Sequence, residues 1–148
     1  MRIYLDNCCF NRPYDDQSQL TISMETQAKL NIQDMIRDKE LELVSSDMLH
    51  YEVHNSPYEI QERAISEFLK KNVSYYVGDN KQDEVEELAS EIMKTGVKYK
   101  DACHVASAII AECEVFLTTD KRLLKYQTDK IKIMNPIDFI RESEENDG

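Results

Sequence analysis

Five short apolar runs separated by helical segments dominate this sequence, and that alternation restricts it to an α/β architecture. The runs are Ile3-Tyr4-Leu5, Leu41-Glu42-Leu43-Val44, Val73-Ser74-Tyr75-Tyr76-Val77, Val115-Phe116-Leu117-Thr118-Thr119 and Ile131-Lys132-Ile133-Met134. Each has strand length and β-branched or aromatic content. Between the first two, Leu20, Met24, Ala28, Ile32, Met35 and Ile36 recur at three- and four-residue steps, which predicts a helix over about 18–39. Ser45-Ser46-Asp47 signals a helix start before Met48, Leu49 and Val53. Asn55-Ser56-Pro57 breaks that helix, and a further one is expected over about 58–71. Val85, Leu88, Ile92 and Met93 mark the next, closed by Gly96, and a small-residue helix follows over 102–113. Strands alternating with helices imply a three-layer α/β/α domain with a central, mostly parallel five-stranded sheet. The last strand alternates with lysine and reads as an edge.

At 148 residues the chain is about one domain long, and its 41% hydrophobic content is enough for one core. The expected division is a folded unit over 1–141 and an acidic, frayed tail over 142–148. Net charge is −11, from 29 acids against 18 Lys plus Arg, so bulk electrostatic binding to nucleic acid or an anionic membrane is excluded. Three glycines at 78, 96 and 148 form no phosphate-cradling loop. Cys8, Cys9, Cys103 and Cys113 contain no Cys-x-x-Cys, which argues against structural zinc. Asp6 falls too early for a signal peptide, and no apolar run approaches the ~20 residues that span a bilayer. The expectation is a cytoplasmic protein with free thiols and no membrane association.

The chemistry lies where the strands end. Parallel strands direct their carboxyl ends to one edge, and ligands bind there at the point where strand order reverses. Asp6 closes the first strand and Asp120 the fourth. Asp101 opens the small-residue helix, whose N-terminus favours negative charge, and Glu52 lies in the helix after the second strand. Taken singly, each has an ordinary reading as a turn former, a helix cap or a solvated acid. Taken together, four converging carboxylates repel one another and raise one another's pKa values, a conflict that a divalent cation relieves. Hard oxygen donors suit Mg²⁺ or Mn²⁺ rather than zinc.

These residues carry a resemblance. Ile3-Tyr4-Leu5-Asp6, Glu52, Asp101-Ala102-Cys103-His104-Val105-Ala106, Leu117-Thr118-Thr119-Asp120 and Met134-Asn135-Pro136-Ile137-Asp138-Phe139, in this order, resemble the PIN-domain family of metal-dependent ribonucleases, with VapC-type single-domain members nearest. The resemblance spans nearly the whole chain. It implies Asp6, Glu52, Asp101 and Asp120 as the catalytic and metal-ligating acids, Mg²⁺ or Mn²⁺ as cofactor, and hydrolysis of RNA phosphodiester bonds. It also implies an antitoxin protein as a possible partner and a homodimer. Two departures stand out: Asn7-Cys8 replaces the Thr or Ser usual after the first aspartate, and Met48-Leu49 replaces a hydroxyl residue before the glutamate.

Around this cluster, Asn7 and Thr118 are expected to hold the aspartates from behind. Arg12, Lys98, Lys100, Lys121, Arg122 and Lys125 flank the edge in sequence and are expected to meet RNA phosphates. Tyr14 and Tyr99 read as core or rim residues rather than base-stacking platforms. His104, one turn beyond Asp101, reads as a packed, hydrogen-bonded histidine, and the His50/His54 pair lacks the surroundings of a zinc motif. Aspartyl phosphatases and receiver domains also end strands in aspartate, but Asp6-Asn7-Cys8 lacks the paired acids both need. The alternative in another class is a catalytically weak module that binds RNA or a protein partner.

Overall fold

The computed structural model describes residues 1–147. β1 (Arg2–Leu5) leads into a short α1 (Asn7–Asn11), and a single 3-10 turn at Arg12–Tyr14 precedes α2 (Leu20–Arg37). β2 (Glu42–Ser46), α3 (Asp47–His54), α4 (Glu59–Asn72) and β3 (Val73–Val77) form one half of the sheet and its cover. α5 (Gln82–Met93), α6 (Tyr99–Ile110), β4 (Val115–Leu117), α7 (Lys121–Leu124), β5 (Lys132–Met134) and α8 (Pro136–Asp147) complete the chain. The five strands pair in the order β3-β2-β1-β4-β5, and every pairing is parallel.

That order follows from burial. Ile3, Tyr4 and Leu5 of β1 and Phe116 and Leu117 of β4 are wholly buried, as central strands covered on both faces must be. β3 alternates half-buried and exposed positions up to a buried Val77, and β5 exposes Lys132, so both suit the edges. α6 packs tightly because its buried positions, Ala102, Cys103, Val105, Ala106 and Ala108, are mostly small. Gly96 turns the chain from α5 into α6 at φ 103°; a Cβ there would meet open space, so the backbone angle, not crowding, selects glycine.

Three local expectations are corrected. The stretch after Asp6, where no element was expected before about residue 18, begins with a helix, because the Asp6 side chain accepts the Asn7 N–H and caps it. Asp101 does not precede its helix but sits inside the first turn of α6, with Lys98 at the cap position. The terminal segment is not a frayed tail from Glu142: α8 runs on to Asp147, tied to the edge strand by a Lys132–Glu142 ion pair of 2.8 Å. Gly148 lies outside the described residues.

Candidate active site

Strand order reverses between β1 and β4, and the register Leu5↔Leu117 sets Asp6 beside the residues that follow β4. The Asp6 N–H donates to the Leu117 carbonyl at 2.9 Å, carrying the ladder one step past the strand. Asp6 is buried. Its Oδ1 accepts the Asn7 N–H at 2.8 Å, and its Oδ2 accepts the Thr118 hydroxyl at 2.9 Å. Cys8 adds a thiol 3.5 Å from the same Oδ2 and 3.4 Å from Thr118 Oγ1, so the residue in place of the usual hydroxyl makes a weaker contact of the same kind. Asp120 caps α7, its Oδ1 accepting the Arg122 N–H at 2.9 Å. Both aspartates therefore do what a lone aspartate after a strand does, and the topology brings them to one crevice as well.

α3 and α6 supply the other two acids. Burial pushes the Glu52 carboxyl up. The hydrogen bond of His104, with Lys100 and the Asn7 amide behind, outweighs that and holds it below the ordinary carboxylate range. Asp101 goes the other way. Burial, then the charges of Asp6 and Asp120 and more weakly Glu52, push it up to about 6 against the opposing pull of His104. Asp6, Asp120 and Glu52 thus each lie close enough to act on Asp101. They form no ready-made shell: among the described residues, no three His, Cys, Asp or Glu side chains meet in metal-binding geometry. The donors of the set are all carboxylate oxygens, the ligand type of hard cations.

The sequence reading missed how the cluster is braced from beneath. His104 is fully buried and joins Glu52 through Nε2 and the Tyr4 hydroxyl through Nδ1, the latter at 2.6 Å. Tyr4 was legible only as a core residue, because an aromatic in a central strand carries no sign of what its hydroxyl meets. Among the basic residues, Lys98, Arg122 and Lys125 line a groove of about 470 Å³ that Asp101 and Asp120 also line. Lys100 lies over the Tyr51 ring, 5.5 Å from its centroid, and Lys121 is exposed at the start of α7. Arg12 is engaged elsewhere: its guanidinium binds Asp15 and Glu25, each at 2.8 Å. Tyr14 and Tyr99 are both exposed rather than packed in the core.

The raised Asp101 has a measurable consequence. Its folded-state value near 6 exceeds the ordinary 3.8, so ionisation opposes folding, and stability is lost as pH rises from about 4 through about 6. Asp101→Asn is expected to be about 1 kcal/mol more stable than wild type at pH 7 in metal-free buffer, after allowance for partial exposure, and no more stable at pH 4. Urea denaturation at the two pH values checks this; an equal gain at both would refute the electrostatic origin.

No protein-family model matches the sequence, and no curated protein matches it. Solved structures do match in fold. VapBC2 from Rickettsia felis, bound to a DNA fragment from its promoter, is 14% identical with a TM-score of 0.57, covering 91% of this chain and 98% of that one. FitAcB from Neisseria gonorrhoeae is 15% identical with a TM-score of 0.54, over 90% and 97% of the two chains. VapBC-1 from nontypeable Haemophilus influenzae is 16% identical with a TM-score of 0.55, over 92% and 98%. At these identities the likeness is one of fold, and the fold is that of a PIN domain. No helix among the described residues is long and apolar enough to cross a membrane.

Proposed function

We propose that this PIN-fold chain is a metal-dependent endoribonuclease, acting as the toxin of a toxin–antitoxin pair. The reading is carried by geometry at the switch point of the sheet, where Asp101 and Asp120 line one groove and His104 Nε2 reaches both Glu52 and Asp6, with the raised Asp101 carboxyl in support. Structural roles alone do not call for such crowding, since Asp6 and Asp120 would cap their helices equally well apart. Mg²⁺ or Mn²⁺ held by this cluster would supply Lewis-acid polarisation of a phosphodiester and a more acidic water.

The chain's own groups then divide the work. Asp6, Asp101 and Asp120 would hold the cation directly or through water, and Thr118 and the Asn7 N–H fix Asp6. Glu52, held ionised by His104, ligates or orients the attacking water. Lys98, Arg122 and Lys125 offer phosphate contacts along the groove, which an anionic chain needs to bring RNA within reach of its acids. The VapBC and FitAB fold neighbours support a small antitoxin protein as the partner here; a homodimer is part of the proposal and rests on the sequence resemblance alone.

Purified chain incubated with end-labelled structured RNA is expected to cut internally with millimolar Mn²⁺, to stop on EDTA, and to resume when Mn²⁺ is restored. Cleavage indifferent to EDTA, or no uptake of Mg²⁺ or Mn²⁺ by calorimetry, would overturn the reading. That no three His, Cys, Asp or Glu side chains meet in metal-binding geometry among the described residues favours one second reading, a module that binds RNA or a partner without cutting. Metal uptake without cleavage would select it.

A further inference from the structure

Beneath the acids runs a buried chain of hydrogen bonds whose direction can be worked out from its ends. It starts at the first turn of α3, where the Leu49 N–H donates to Ser46 Oγ at 3.2 Å. Ser46 Oγ lies 2.6 Å from the Tyr4 hydroxyl, which lies 2.6 Å from His104 Nδ1. His104 Nε2 meets Glu52 Oε1 and stands 3.9 Å from Asp6 Oδ1. Ser46 has already accepted one proton, and its own hydroxyl proton has no partner but Tyr4 among the described residues. Ser46 therefore donates to Tyr4, and Tyr4, with one proton of its own, donates onward to Nδ1. The reverse direction would leave a buried hydroxyl proton unpaired, whether the ring is neutral or doubly protonated. In the neutral ring it would also turn a bare nitrogen lone pair towards a carboxylate.

We infer that His104 is a positioning residue, locked by Tyr4 and Ser46 in the tautomer whose Nε2–H holds Glu52 beside Asp6. The packing supports the lock. The Tyr4 ring stacks on Phe116 at 5.2 Å between centroids and meets the His104 ring edge-on at 5.6 Å, so neither ring is free to turn. Burial pushes the Tyr4 hydroxyl well above its ordinary range, so it keeps the proton it donates. Glu52 Oε1 is taken by His104, so the imidazole fixes one of its two carboxylate oxygens. Asp6 and Asp120 are held by their cap roles, whereas Glu52, inside α3, has none to hold its carboxylate in place. The effect on metal rests on the nuclease reading; the tautomer does not.

Two measurements test this. Long-range ¹H–¹⁵N correlation spectra of the metal-free full chain are expected to show His104 protonated at Nε2 and bare at Nδ1. A proton at Nδ1 would overturn the inference whatever the protein does with RNA. Calorimetry with Mn²⁺ alone then compares variants whose thermal midpoints show them folded. Tyr4→Phe removes the donor to Nδ1, and His104→Leu removes both contacts; each is expected to weaken Mn²⁺ binding by roughly 10- to 100-fold. His104→Gln sets an amide N–H near the place of Nε2 and is expected to stay within about threefold of wild type. If all three bind Mn²⁺ as wild type does, positioning is refuted. If wild type itself takes up no Mn²⁺, the nuclease reading falls, and the spectrum alone decides the tautomer.

Discussion

Asp6→Asn is expected to slow Mn²⁺-dependent RNA cleavage by roughly 10²- to 10³-fold while leaving the fold intact. The two effects separate because Asp6 does two jobs through different properties. As a helix cap it needs only an oxygen that accepts the Asn7 N–H, and asparagine caps a helix about as well as aspartate. As a member of the acid cluster it needs its charge, which the amide lacks. The Thr118 hydroxyl, now donating to Asp6 Oδ2, can turn to accept from an amide placed there, so no buried polar atom is stranded. Loss of the charge also relieves Asp101, whose pKa should move back toward 3.8 from about 6. Initial rates on labelled RNA, with a thermal melt of each protein, check the claim. Equal rates for variant and wild type would remove Asp6 from the chemistry.

Arg12→Ala is expected to destabilise the protein by about 2–4 kcal/mol, a large part of the 5–15 kcal/mol typical of a small domain. Glu25 is only 3% exposed, and Arg12 Nε at 2.8 Å is its only cationic partner among the described residues. Without Arg12 that carboxylate is left in a low-dielectric setting with the Asn135 amide, 2.5 Å away, as its remaining donor. The Asp15–Arg12 pair adds little, being exposed. Glu25→Gln should cost less than Arg12→Ala, because a neutral amide needs no counter-charge. Urea midpoints give the comparison; a loss below 1 kcal/mol for Arg12→Ala would show that the pair is as weak as a surface one. The same experiment separates two roles for Arg12, since a phosphate contact would alter RNA affinity and its salt dependence rather than stability.

The network around Glu25 illustrates what a linear reading cannot find. Arg12, Glu25 and Asn135 lie 13 and 110 residues apart and belong to a turn, a helix and the start of another helix. Arg12 therefore looked like one more cation near the site. The same holds for Tyr4, Ser46 and His104, whose polar atoms meet only after β1, β2 and α6 have packed. The acids were legible because each marks a strand end or a helix near one, and parallel strands send those ends to a common edge.

Local pattern was sufficient for the strands, most of the helices and the parallel sheet, since burial on two faces and helical periodicity are written in neighbouring residues. It was also sufficient to nominate Asp6, Glu52, Asp101 and Asp120. Only the tertiary structure decided that β1 and β4 are neighbours, that Asp101 is pushed up while Glu52 is held down, and that Lys98, Arg122 and Lys125 rather than Arg12 share the groove with the acids. Those outcomes turn on burial and on separations of a few ångströms between groups far apart along the chain, and electrostatic and hydrogen-bond energies depend on distance in space, not on distance in sequence.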